Sequence, residues 1–128
     1  MSGPIKPEIK TLWIEALRSG KFKQGNGKLR KLDIETGEEQ HCCLGVLCDL
    51  AEEAGVIQRY VDDDDIHVYF TPASDRSREF LPIAVQRWAG FQYGDNSPDI
   101  PQVGESLVGL NDNGKTFTEI ANLIEEYL

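Results

Sequence analysis

The most hydrophobic segment of the chain lies between residues 43 and 54. Its apolar residues stand at positions 43, 44, 46, 47, 48, 50, 51 and 54. At 3.6 residues per turn they cover most of a helix circumference and leave Asp49, Glu52 and Glu53 to mark a solvent-facing side. Helices this apolar are packed on several sides, so the pattern predicts a central buried helix. Gly55 would end that helix, since glycine adopts the left-handed capping conformation easily.

An amphipathic stripe near the N-terminus predicts a second long helix, over residues 7–19. The apolar residues of this stripe, which follow the i, i+3, i+4, i+7 and i+8 spacing, are Ile9, Leu12, Trp13, Ala16 and Leu17. Pro7 suits the first turn of this helix, and Gly20 suits its C-terminal cap.

Two further helices are predicted in the C-terminal half of the chain. Thr116 followed three residues later by Glu119 is a capping box, and the apolar stripe after it predicts a helix over 116–127. A shorter helix near 82–89 would present Val85, Trp88 and Ala89 on its apolar face.

Strand patterns predict a small antiparallel sheet built from 29–34, 39–43 and 66–70. Leu32 and Ile34 alternate with charged residues ahead of a turn at 35–38, and 66–70 is rich in β-branched and aromatic residues. The four acids at 62–65 repel one another and indicate a solvated loop. The breaker-containing segments 71–78 and 91–104 are also expected to be loops, and the apolar residues at 107–110 a short turn.

These elements predict one α+β domain over residues 1–128, in which three to four helices pack on the central helix beside a small antiparallel sheet or hairpin. The predicted core consists of Leu12, Trp13, Leu17, Leu44, Leu47, Cys48, Trp88, Ile120 and Ile124.

Charge is unevenly distributed along the chain. The 128 residues hold 13 basic and 22 acidic side chains, a net charge of −9, yet the first 31 residues carry a local charge of +6. An acidic protein is repelled by the phosphates of duplex DNA, so we expect no duplex nucleic acid as partner. The basic N-terminal segment is still able to hold one small anion, although it also serves to balance the acidic remainder.

Neither a membrane span nor a signal peptide is apparent, and three cysteines make no disulfide framework. We therefore expect a cytoplasmic protein.

The cysteines suggest two kinds of chemistry. Cys42 and Cys43 lie where a predicted strand meets a helix N-terminus, which favours the thiolate, and His41 or His67 would have to serve as the base. Because free cysteines are usually buried and inert, we rank this catalytic reading below a purely structural one. A zinc site is not expected, because Cys43 and Cys48 point about 140° apart on one helix. No other metal site and no cofactor is expected either.

A glycine-rich basic loop follows the first helix. Backbone N–H groups around glycines can form an anion-binding concavity, to which lysines add positive potential, but the spacing of a phosphate-binding Walker loop is absent. Arginines and lysines beside aromatic rings are typical of sites for phosphates and bases. The candidate ligand-binding residues are Arg18, Lys21, Phe22, Lys23, Gln24, Lys28 and Arg30. The alternative is a plain, solvated surface loop.

Four ordered motifs resemble a family of small uncharacterised proteins encoded by tailed phages and prophages. They are Leu12 to Gln24 (LWIEALRSGKFKQ), Cys42 to Ala51 (CCLGVLCDLA), Leu81 to Gly90 (LPIAVQRWAG) and Leu110 to Ala121 (LNDNGKTFTEIA). The resemblance implies an origin rather than an activity and carries over no catalytic residues. An aromatic residue such as tyrosine is expected where this chain has His41, which weakens a Cys–His catalytic reading.

A small, acidic accessory protein without a convincing catalytic constellation is expected to act by binding. The predicted function is capture of a phosphorylated or nucleotide-like host signalling molecule, with inhibition of a host protein or a hydrolase using Cys42 or Cys43 as alternatives. A homo-oligomer is possible.

Overall fold

The computed structural model describes residues 5–72, 76–91 and 97–128. Its helices are α1 (Pro7–Arg18), α2 (Cys43–Glu53), α3 (Ile83–Ala89), α4 (Leu107–Asp112) and α5 (Phe117–Tyr127). Its strands are β1 (Lys23–Gln24), β2 (Arg30–Asp33), β3 (Glu38–His41), β4 (Gln58–Val61), β5 (His67–Phe70), β6 (Arg76–Ser77), β7 (Asp99–Ile100) and β8 (Glu105–Ser106). The described elements form a single α+β domain, as predicted.

The four predicted helices are present with bounds that differ by one residue at an end. The prediction of a mere turn at 107–110 is wrong, because this segment forms α4. Ser106 starts α4 by accepting a hydrogen bond from the Gly109 N–H at 2.9 Å. The predicted capping box at the start of α5 is confirmed, with both of its reciprocal hydrogen bonds formed.

Helix α2 is the buried centre of the helical layer. It packs against α1, α3 and α4, whereas α5 packs chiefly against α1 and α4. Along α2, the side chains of Cys43, Leu44, Val46, Leu47 and Cys48 are fully buried. The Trp13 indole N–H donates to the backbone oxygen of Cys43 at 2.9 Å, which ties α1 to the first turn of α2.

The strands form separate small sheets rather than the single antiparallel sheet that was predicted. In the first sheet β3 lies between β1, which is parallel to it, and β2, which is antiparallel to it. In the second sheet β5 lies between β4 and β6, both antiparallel to it. A third, two-stranded sheet pairs β7 with β8. The predicted strand at 66–70 therefore belongs to another sheet than 29–34, and a bridge between Lys31 and Ile66 connects the two.

Strand β4 was not predicted because three of its four residues are exposed at a sheet edge, so they carry no alternating pattern. Strands β6 and β7 likewise lie inside segments that were predicted to be loops. Two parts of those predicted loops, 73–75 and 92–96, lie outside the described residues.

The predicted core is confirmed at seven of its nine residues. Leu12 is the error: its side chain is 46% exposed, and Ile14 is buried in its place. Helix α1 is covered by α2 and α5 together, so its buried face is centred on Trp13 and widens toward Ile14. Trp88 is only half-buried at the edge of the core.

Candidate functional site: two clefts beside Phe22

Two clefts adjoin at the half-buried side chain of Phe22. The first, of about 390 Å³, is here named the arginine cleft and is lined by Phe22, Arg30, Asp49, Leu50, Glu52, Glu53 and Arg59. The second, of about 370 Å³, is named the lysine cleft and is lined by Gly20, Lys21, Phe22, Lys23, Glu38 and Glu39. Both volumes lie in the range of small-molecule pockets.

The solvent-facing side of α2 forms one wall of the arginine cleft. Asp49, Glu52 and Glu53 lie at i, i+3 and i+4, so they share one helix face. Arg30 reaches this face from the start of β2, and Arg59 reaches it from β4. The acids that marked the polar side of the helix in the sequence are therefore part of the cleft lining.

Asp49 is the centre of a buried hydrogen-bond network on this wall. Its carboxylate accepts hydrogen bonds from His41 Nε2 at 2.6 Å, from Arg30 Nη1 at 3.1 Å and from the Tyr69 hydroxyl. Burial alone would raise the pKa of Asp49, but the hydrogen bonds from His41 and Tyr69 and the nearby positive charges lower it below its usual value. Asp49 is therefore ionised, while burial raises the pKa of Tyr69 and keeps its hydroxyl protonated.

A second chain of contacts links the two sheets through His67. The Arg59 guanidinium donates to Glu52 Oε1 at 2.8 Å through Nε and to His67 Nδ1 at 2.6 Å through Nη1. His67 Nε2 in turn lies 3.1 Å from Glu39 Oε1. Burial, reinforced by the charges of Arg30 and Arg59 and opposed by Glu39, lowers the pKa of His67. The neutral ring accepts from Arg59 and donates to Glu39.

Two buried nitrogens beside the clefts have no hydrogen-bond partner among the described residues. They are Nε of Arg30 and Nδ1 of His41. The His41 ring also packs edge-on against Phe22, with 4.9 Å between ring centroids. Phe22, which separates the clefts, thus packs on a histidine that Asp49 holds in place.

Four of the seven predicted ligand-binding residues border the clefts. Lys21, Phe22 and Lys23 line the lysine cleft, and Arg30 lines the arginine cleft. The segment 21–30 therefore contributes four residues to the walls of the two clefts.

The other three predicted ligand-binding residues make structural contacts instead. Arg18 binds Asn122 and Glu125 on α5, and Lys28 pairs with Glu79. Gln24 holds the start of α5 through hydrogen bonds to Asn111, to the Lys115 oxygen and from the Phe117 N–H.

The cleft residues that the sequence reading missed are Asp49, Leu50, Glu52, Glu53 and Arg59. Their i, i+3, i+4 acidic spacing was visible, but a polar helix face usually means only contact with solvent. Arg59 gave no signal because β4 itself was not predicted.

All three cysteines are free and buried. Burial raises the pKa of Cys42 to about 11, outweighing the backbone hydrogen bonds at the helix start, and raises the pKa of Cys43 and of Cys48 well above the usual value. In the described part of the chain neither histidine is hydrogen-bonded to a thiol, because both bind carboxylates. The arrangement offers no activated thiolate, and the hydrolase alternative stays a prediction.

Two kinds of feature are absent from the described residues. No group of three or more His, Cys, Asp and Glu side chains there is placed to hold a metal ion. Within the same residues, no helix combines the length and the apolar content needed to cross a membrane.

Comparison with known proteins gives one match. Residues 5–128 match the sequence profile of a family described as a domain of unknown function, DUF8296. No curated protein and no solved structure matches the chain. Since the matched region covers nearly every residue, the protein belongs to the DUF8296 family.

Proposed function

We propose that this protein binds, without transforming it, a small phosphorylated, nucleotide-like molecule in the two clefts beside Phe22. The observation that carries the proposal is the placement of Phe22 between a cleft with two lysines and two glutamates and a cleft with two arginines and three acids. A nucleotide has the same division into an anionic phosphate, a planar ring and a polar base edge.

The lysine cleft suits the phosphate group. Lys21 and Lys23 line it, and the only described counter-ion of Lys23 is Glu38 at 3.6 Å, in a pair whose side chains are both more than half exposed. Exposed pairs of this kind contribute little free energy, so Lys23 can exchange Glu38 for a phosphate at small cost.

The arginine cleft suits the base. Phe22 and Leu50 supply apolar surface, and the charged groups around them can pair with the donors and acceptors of a base edge. Stacking of a base on an aromatic side chain contributes about 1–3 kcal/mol to affinity.

The resemblance to proteins of tailed phages and prophages supports a wider form of the proposal. In that form the protein is phage-encoded and sequesters a signalling nucleotide in the cytoplasm of the host. A second candidate, inhibition of a host protein, is favoured by the exposed apolar side chains of Tyr60 and Val61 on the edge strand β4.

Isothermal titration calorimetry with a panel of nucleotides and cyclic nucleotides tests the proposal. We expect at least one ligand to bind, and the double substitution Lys21→Glu/Lys23→Glu to weaken it by about a hundredfold or more, because each lost charge-assisted contact costs about 1.5–3 kcal/mol. Phe22→Leu, which keeps an apolar side chain but removes the aromatic face, should weaken binding about tenfold.

The matched control is Lys6→Glu/Lys115→Glu, which changes the net charge equally at two exposed lysines that line neither cleft. Equal loss of affinity in both double variants would show a general charge effect and contradict the proposal. Absence of heat with every nucleotide, together with capture of a host protein that Tyr60→Ser/Val61→Ser abolishes, would favour the inhibitor function instead.

A further inference from the structure

We infer that the arginine cleft selects guanine among the common bases, with Glu53 and Arg59 reading its two edges. The inference rests on the proposed function, since it concerns which nucleotide the clefts hold. It starts from the groups that the fold itself leaves without partners.

The acceptor in the cleft is Glu53. Both oxygens of Asp49 already accept hydrogen bonds, from His41, Arg30 and Tyr69, and one oxygen of Glu52 is held by Arg59. The carboxylate of Glu53, by contrast, forms no hydrogen bond or ion pair with any described residue. Both of its oxygens are available to a ligand that enters the cleft.

The donor in the cleft is Arg59. Its Nε and Nη1 groups are fixed by Glu52 and His67 at 2.8 and 2.6 Å, so the guanidinium is held in one orientation. Its Nη2 group makes no hydrogen bond with a described residue. The cleft lining thus contains a fixed, partly unused guanidinium as donor and, as acceptor, a carboxylate that is unpaired among the described residues.

Guanine is the common base whose edges match this pair. Its N1–H and N2–H groups are adjacent donors and fit the two oxygens of one carboxylate, while its O6 and N7 atoms are acceptors that arginine binds. Adenine has one exocyclic donor between two acceptors, so it can satisfy only one carboxylate oxygen. Uracil and cytosine likewise lack two adjacent donors on one edge.

Calorimetry of the intact protein with GMP, IMP and AMP tests the inference. IMP keeps every guanine group in question except the 2-amino group, and we expect it to bind about tenfold more weakly than GMP. AMP keeps only N7 of the matched groups, with a donor in place of O6 and an acceptor in place of N1–H, and should bind about a hundredfold more weakly. Glu53→Gln should weaken GMP about tenfold without weakening AMP, because the amide replaces one acceptor oxygen by an N–H donor, which opposes the two donors of guanine but can still pair with adenine.

The matched control is Glu126→Gln, which changes an exposed glutamate on α5 that lines neither cleft. Equal binding of GMP and AMP would overturn the guanine inference and leave the proposed function standing. A guanine preference that survives Glu53→Gln would overturn it as well. Failure of every nucleotide to bind would instead refute the proposed function and the inference with it.

Discussion

Gly45 on α2 packs directly against the backbone carbonyl of Leu29, so closely that a Cβ on Gly45 would lie 1.7 Å from the Leu29 oxygen. The same carbonyl accepts the N–H of Cys42 at 3.2 Å. The first turn of α2 is therefore held against the residue that precedes β2. This contact brings Arg30, the next residue of the chain, within hydrogen-bond distance of Asp49.

Substitution of Gly45 by alanine should strongly destabilise the fold. The new methyl group meets a backbone atom that cannot rotate away, and overpacking of this kind costs about 3 kcal/mol or more. Urea unfolding followed by circular dichroism measures the loss. Gly27→Ala is the control: its site is open but has φ +81°, so only about 1–2 kcal/mol of backbone strain is expected. An equal loss of unfolding free energy in the two variants would show that the close contact with Leu29 does not restrict the side chain at position 45.

Removal of the Tyr69 hydroxyl should destabilise the fold by about 1–3 kcal/mol, because Tyr69→Phe leaves one oxygen of the partly buried, ionised Asp49 without a donor. Tyr60→Phe should change the free energy of unfolding by less than about 0.5 kcal/mol. Tyr60 is exposed, and its hydroxyl forms no hydrogen bond with a described residue. Chemical denaturation of both variants provides the comparison. An unchanged free energy of unfolding in Tyr69→Phe would contradict a stabilising role for the hydrogen-bond network around Asp49.

Stability should fall as the pH is lowered from 7 to 5, and His67 should contribute to that fall. Its pKa is below the usual value of 6.5 in the folded protein, so the unfolded chain binds more protons in this range and protonation favours unfolding. Asp49 acts in a different window: its lowered pKa contributes stability, which is lost only as the pH falls from about 3.8 toward its folded value.

Urea unfolding of His67→Gln at several pH values isolates the contribution of His67 to the pH dependence of stability. Glutamine can still accept from Arg59 and donate to Glu39, but it does not titrate. The variant should therefore show a smaller pH dependence between 7 and 5 than the parent. An unchanged pH dependence would mean that His67 keeps the same proton affinity in both states.

The three thiols should resist iodoacetamide at neutral pH in the native protein. Each is buried and has a raised pKa, so little thiolate forms and the reagent cannot approach it. Mass spectrometry before and after addition of urea counts the modified residues, and we expect modification only after unfolding. Rapid native labelling of Cys42 or Cys43 would restore the cysteine hydrolase alternative.

Loss of the cap on the last helix should cost about 1 kcal/mol in Thr116→Ala, because the Thr116 side chain accepts the N–H of Glu119. Thr11→Ala is a suitable control, since the Thr11 hydroxyl only bonds back to Pro7 within an exposed helix face. Thermal unfolding should show a clearly lower midpoint temperature for Thr116→Ala and almost no change for Thr11→Ala. The reverse order would contradict the role of the cap.

The sequence by itself determined every described helix except the short α4. Residues three and four apart decide where an apolar face lies, and a cap such as Thr116 lies within one turn of the residues it serves, so α1, α2 and α5 could be read to within a residue or two. The same local spacing could not choose between Leu12 and Ile14, because that choice depends on how α2 and α5 cover α1.

Only the tertiary structure decided the sheets and the site. The parallel pairing of β1 with β3 passes over β2, which lies between them in the sequence, and β4 is an edge strand because, among the described strands, β5 alone pairs with it. The arginine cleft is even harder to predict from the sequence than the sheets. Arg30, Asp49 and Arg59 come from three elements and meet only when both sheets are packed beside α2. Such a network carries no periodic signal in the sequence. Its partners are fixed by long-range packing, and so the acids of α2 appear in the sequence as an ordinary solvent-facing side.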